Sequence, residues 1–213
     1  MLIESFAVAA FGTVLAQASP GPNLVAVASA GLSAGRRAAL AVVAGVATGV
    51  LVWAAAAAFG LGALLAVFPG LLVAMKIVGG GYLLWLGIKG LRAAWRGNAP
   101  TLRGGGRGNA RLGAHWRRGL AVVLTNPKAA LMWAAVSAFL FGQGLDPAAV
   151  LAFGPVGAVS AMLVYGGYAF LFSTGTAMRF YAQAARRVDA AFGAVFGAMG
   201  GALLIDGLRS GAR

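Results

Sequence analysis

Two short runs in this chain set proline beside asparagine: Ser19-Pro20-Gly21-Pro22-Asn23 and Thr125-Asn126-Pro127-Lys128. Proline lacks a backbone N–H and clashes with the carbonyl four residues earlier, so each run frees backbone groups inside an otherwise apolar, helix-forming stretch. Freed N–H groups and half-helix N-termini attract a carboxylate, and freed carbonyls accept from an ammonium, so the two runs together could hold a zwitterion. Asn23 and Asn126 can both donate and accept, which suits bridging the runs or touching a ligand; the alternative is that each caps a half-helix. Lys128 could bind a ligand carboxylate, hold its break by bonding freed carbonyls, or snorkel along its stem to the rim. Gln17, Ser19, Thr48 and Thr125 are further lining groups, with the alternative that the Ser and Thr hydroxyls bond back to their own helices. The candidate substrate-binding set is therefore Gln17, Ser19, Pro20, Gly21, Pro22, Asn23, Thr48, Thr125, Asn126, Pro127 and Lys128.

Other chemistry is poorly supplied. There is no cysteine, so disulfides, thiolate metal sites and thiol redox chemistry are excluded. The only histidine, His115, falls in a polar loop, there is no H-E-x-x-H, and no carboxylate pair lies in an apolar run. The reading is no enzyme, no metal and no cofactor. The net charge of +13 would suggest nucleic acid in a soluble protein. The Gly- and Arg-rich tract from Arg103 to Arg111 has no aromatic residue before Trp116, so it reads as a flexible basic loop near anionic lipid, not a nucleic-acid site.

The elements that must position these residues follow from composition. Hydrophobic residues are 61% of the 213 and charged residues 10%, where a soluble domain carries about 25% charged. No charge occurs from Ala38 to Met75, from Ala129 to Leu145, or from Pro147 to Met178. A bilayer span needs about 20 apolar residues, and only helices satisfy their own backbone there. The chain thus reads as an all-α integral membrane protein with six transmembrane helices, about 6–32, 38–67, 71–92, 120–141, 148–178 and 188–208, the first and fourth broken at Pro. Three spans per half invert the second half, giving two inverted three-helix repeats in a single transporter domain, 1–213. The first repeat is about 1–96, a cytoplasmic loop about 97–117, and the second repeat about 118–213. Paired broken helices in such halves point to a transport site near mid-membrane. Arginines crowd the loops after the first, third and fifth helices, which sets those loops in the cytoplasm and both termini outside. Ala16-Gln17-Ala18 resembles a signal-peptidase site, but Glu4 stands where a basic n-region belongs, so the segment reads as retained. Gly45 and Gly49, Gly79 to Gly81, and Gly193 to Gly201 read as close-packing faces that also allow a homodimer. Lys76 reads as snorkelling at the outer end of its helix, and Asp189 as pairing with Arg186 and Arg187.

The run Ser19 to Asn23, with Gly35-Arg36-Arg37, Gly45 and Gly49, resembles the first part of the lysine-exporter superfamily, homoserine/threonine-exporter (LysE/RhtB) type. Tyr82-Leu83-Leu84-Trp85-Leu86-Gly87 with Arg92, and Leu124-Thr125-Asn126-Pro127-Lys128, resemble that family's third-helix and second-half signatures. The resemblance covers nearly the whole chain. It implies amino-acid efflux across a bacterial inner membrane, driven by the proton gradient, without an enzymatic step. Two departures stand out. Phe141-Gly142-Gln143-Gly144 replaces a Pro-Gln-Phe-like stretch. The second helix offers Thr48 where exporters of basic amino acids carry an acid, so a neutral amino acid such as threonine, homoserine or leucine is the expected cargo. The other readings are a basic amino acid as cargo, or a membrane scaffold or assembly subunit that transports nothing.

Overall fold

A computed structural model of the protein describes residues 2–68, 70–96, 111–172 and 177–211. These residues are helical, with no strand among them: α1 (Leu2–Ala18), α2 (Pro22–Ala55), a π-helical turn (Ala56–Leu61), α3 (Gly62–Val67), α4 (Leu71–Arg96), α5 (Leu112–Leu124), α6 (Pro127–Gly142), α7 (Pro147–Phe172) and α8 (Ala177–Gly211). Two helical stretches are long and apolar enough, by length and composition, to cross a bilayer, Pro22–Leu64 and Pro147–Phe172. A third candidate is the pair α5 and α6, bent by 59° across its break. Apolar helices of this kind, with Phe11, Phe59, Val67 and Leu163 more than half exposed, belong to a membrane-embedded protein.

α2 is not one rod. Gly35 has φ 80 and ψ −178, a left-handed conformation that a side chain would strain, in the middle of helical neighbours. A Cβ placed on Gly31 would lie 3.6 Å from the Cβ of Ala39, although eight residues of straight helix span about 12 Å. The chain therefore doubles back at Gly35, and residues 22–34 and 36–55 form a hairpin.

Glycine sets the closest crossings. α5 lies against the second limb of α2, where a Cβ on Gly45 would overlap the Trp116 carbonyl and one on Gly119 the Val42 carbonyl. α4 lies against α8 through Gly80, Gly87, Gly193 and Gly200 in the same manner. The core between these pairs is filled by Leu24, Val46, Trp133, Phe153 and Phe172, all nearly inaccessible.

Two expectations are corrected. α5 begins at Leu112, so His115 to Arg118 are helical rather than loop, and His115 is buried. The stretch Leu112 to Leu124 sets His115, Gly119 and Val123 on one buried face at four-residue spacing, a period that its arginines obscured. Lys76 does not snorkel: it is buried, and its Nζ lies 2.7 Å from Asp206 Oδ2 on α8. Asp206 itself is exposed, so the buried ammonium gains a partner without the carboxylate leaving the surface. The basic tract up to residue 110 and the side chains of Arg186 and Asp189 lie outside the described residues.

Candidate functional site

The chain is interrupted between Ala18 and Pro22 and again at Thr125-Asn126, and the two interruptions meet. Asn126 Nδ2 donates to Asn23 Oδ1 at 3.2 Å, and Lys128 Nζ donates to the Ser19 carbonyl at 3.3 Å. Pro22 and Pro127 each stand in the first helical turn, where their missing N–H costs least.

Each proline leaves the carbonyl four residues earlier without its helical donor. For Pro22 that carbonyl is Ala18, which accepts from Tyr168 Oη at 2.7 Å. For Pro127 it is Val123, which accepts from Trp53 Nε1 at 3.1 Å and also from the Asn126 N–H at 3.4 Å. An aromatic donor from another helix thus serves each break.

The asparagines differ. Asn126 is the N-cap of α6, its Oδ1 accepting from the Lys128 backbone N–H at 3.0 Å. Asn23 is no cap: Gly21 holds that position in α2, and no side chain caps the helix. The Asn23 amide is turned across the site instead, its Nδ2 donating to Tyr165 Oη at 3.4 Å. The chain of bonds fixes both amides. The Lys128 N–H can only donate, so Asn126 presents its oxygen to it and its NH₂ to Asn23, which in turn presents its own NH₂ to Tyr165.

These groups surround a cavity of about 20 Å³, enough for one water, lined by Gln17, Ser19, Gly21, Asn23, Asn126 and Lys128 together with Val50, Met132, Trp133 and Tyr165. Gln17 is buried, and its Nε2 donates to the Gly157 carbonyl at 3.1 Å. Gln17 Oε1 and Trp133 Nε1 are buried with no hydrogen-bond partner. No carboxylate lines the cavity, so Lys128 gives it positive character.

Of the expected residues, Thr48 and Thr125 do not join the cavity. Their hydroxyls bond back to the Ala44 and Ala121 carbonyls, the ordinary fate of a helical hydroxyl. Pro20, Pro22 and Pro127 shape the breaks but lie outside the lining. Sequence reasoning passed over Tyr165 and Trp133. The available signal was a polar-tipped ring in the middle of a charge-free run, which in a bilayer needs a partner.

A family model described as LysE type translocator matches residues 14–207. The threonine efflux protein of Escherichia coli (strain K12) is 29% identical over 205 residues, covering 96% of this chain and all of that one. The homoserine/homoserine lactone efflux protein of Salmonella typhi is 32% identical over 195 residues, covering 90% of this chain and 91% of that one. The chemotactic transduction protein ChpE of Pseudomonas aeruginosa is 36% identical over 124 residues, 58% of this chain and 59% of that one. No solved structure matches.

Proposed function

The chain belongs to the LysE type translocator family, and from that premise we propose that it exports a neutral amino acid, of the threonine, homoserine or leucine kind, from the cytoplasm of a bacterium across the inner membrane. The observation that carries the reading is the meeting of Asn23, Asn126 and Lys128 around one cavity. The substrate carboxylate sits at the Lys128 ammonium beside the uncapped N-terminus of α2. Tyr165, which accepts from Asn23, can turn its own proton toward the same carboxylate. Gln17 Oε1 is the acceptor for the ammonium, and Trp133 Nε1 the donor for a polar side chain. A cationic side chain would meet Lys128 with no carboxylate to offset it, which favours neutral cargo.

The architecture behind this is two inverted three-helix repeats, about 1–96 and 118–213 joined by a cytoplasmic loop, with both termini outside. The aromatic donors support it. Tyr168 in the fifth helix serves the break in the first, and Trp53 in the second helix serves the break in the fourth, which is the exchange that an inverted two-fold axis demands. Ligand pockets run to about 300–1,000 Å³, so the present cavity is a closed state, and transport requires the broken helices to part on alternate sides. Coupling to the proton gradient belongs to the same reading. The lipid bilayer is the surrounding partner, and the open faces at Gly60 and Gly81 leave room for a homodimer.

The test is efflux from cells preloaded with labelled threonine, homoserine, leucine and lysine. Faster loss of a neutral amino acid than from cells lacking the chain, absent in Lys128→Ala and Asn126→Ala variants that reach the membrane, is the expected result. Unchanged loss of all four removes this cargo, and a lysine-only effect replaces neutral cargo with basic.

A further inference from the structure

Among the described residues, five buried side-chain polar atoms have no hydrogen-bond partner, and four of them belong to α1 and α6: Thr13 Oγ1, Gln17 Oε1, Trp133 Nε1 and Ser137 Oγ. All four residues are at most 4% exposed. Gln17 and Trp133 line the cavity and both reach Gly157, Gln17 through its hydrogen bond and Trp133 through its ring, 3.2 Å from where a Gly157 Cβ would stand. Thr13 and Ser137 are each four residues farther along their helices, one turn or about 6 Å. α1 runs into its break and α6 runs out of its own, so both steps lead away from the breaks, toward the end of the molecule that carries the N-terminus.

The unpaired hydroxyls are unusual because a helical Ser or Thr has an easy partner in the preceding turn. Ser33, Thr48, Thr125, Ser160 and Ser210 all take it, bonding to carbonyls three or four residues back. Thr13 and Ser137 do not, and a buried hydroxyl left unpaired is costly. Groups held so are useful if another state of the protein gives them partners.

We propose that the α1/α6 seam is the arm of the transport route between the cavity and the membrane face bearing the N-terminus. Thr13 and Ser137 line it and pair with water and passing zwitterion when the seam opens. This rests on the efflux reading for its cargo, while the route itself is testable without it.

The chain has no cysteine, so single cysteines can be placed without background. Thr13→Cys, Ser137→Cys and, as a control, Ala138→Cys, which is fully buried on another face of α6, are treated with 2-sulfonatoethyl methanethiosulfonate in intact cells and in inverted vesicles. The expected result is reaction at least about tenfold faster at positions 13 and 137 than at 138, from the N-terminal side only, at a rate altered by excess threonine. Reaction no faster than at 138, or faster only from the opposite side, overturns the proposal. A second measurement separates structure from route: Thr13→Val and Ser137→Ala should keep or raise thermal stability in detergent while slowing threonine efflux severalfold. Unchanged efflux in both variants also overturns it. A wild-type chain that exports no amino acid removes the efflux reading, and the labelling then decides the route by itself.

Discussion

The two breaks carry a proline at the same helical position and use the residues around it in opposite ways. Aligned on Pro22 and Pro127, Gly21 corresponds to Asn126 and Asn23 to Lys128. The second break, besides the Trp53 donor, has a side-chain cap of its own: Asn126 caps α6, and the Ala129 and Ala130 N–H groups both reach the Asn126 carbonyl. The first break keeps the matching backbone bond, from the Val25 N–H to the Gly21 carbonyl, but has no side-chain cap, and the side chains that hold it come from elsewhere: Lys128 onto the Ser19 carbonyl, Asn126 onto Asn23, and Tyr168 onto Ala18. The two interruptions thus differ in how their ends are held. On the proposed reading, the second break is the arm that supplies donors, and the first is the surface that they and a ligand share.

The largest effect should come from the charge on that arm. Lys128→Met removes a charge-assisted contact of about 1.5–3 kcal/mol, which in transport terms is a loss of roughly ten- to a hundredfold in efflux. Lys128→Arg should restore part of it, since the donor remains and only its shape changes. Efflux at wild-type rates in Lys128→Met would mean that the arm is structural only, and the division between the breaks would disappear.

Next in size is the difference between the asparagines. Asn126→Ala loses an N-cap as well as the bridge, so thermal unfolding in detergent should show a loss of about 1 kcal/mol beyond that of Asn23→Ala. Asn23→Ala leaves the Gly21 cap position untouched and should lower stability less while lowering efflux as much. Equal destabilisation by the two would show that the breaks are equivalent after all.

How much of this was legible beforehand follows from the range of the interactions. Proline acts within one turn, so the places where α1 meets α2 and α5 meets α6 could be read directly, as could the asparagines and lysine beside them. The meeting of the breaks required the repeat as an added premise, because 103 residues separate Asn23 from Asn126. Tyr165 and Trp133 were not singled out because aromatic rings occur throughout apolar helices, on lipid-facing and buried sides alike. Lys76 was misread for a related reason: its partner Asp206 lies on a helix that only the α4/α8 packing brings near. The arginines before Leu120 suggested a loop, although the face formed by His115, Gly119 and Val123 has helical spacing. Thr48 and Thr125 were lost to the preceding turn, a competition that sequence alone cannot decide.

The smallest expected effect is the most demanding test of the symmetry. Trp53→Phe and Tyr168→Phe each delete one donor to a proline-freed carbonyl while keeping a ring in place. Side-chain hydrogen bonds between membrane helices average about 0.6 kcal/mol, with about 1.7 as a maximum, so each variant should unfold slightly earlier in detergent. If the two breaks descend from one interruption and differ only in their caps, the two losses should match to within a few tenths of a kcal/mol. The carbonyl in question stands four residues before its proline in both, although Val123 also accepts from the Asn126 N–H at 3.4 Å. A double variant should then show the sum, because Ala18 and Val123 share no donor. A much larger loss for Tyr168→Phe would instead place the weight on the first break, where no side-chain cap is available to hold α2 once the Ala18 carbonyl is released.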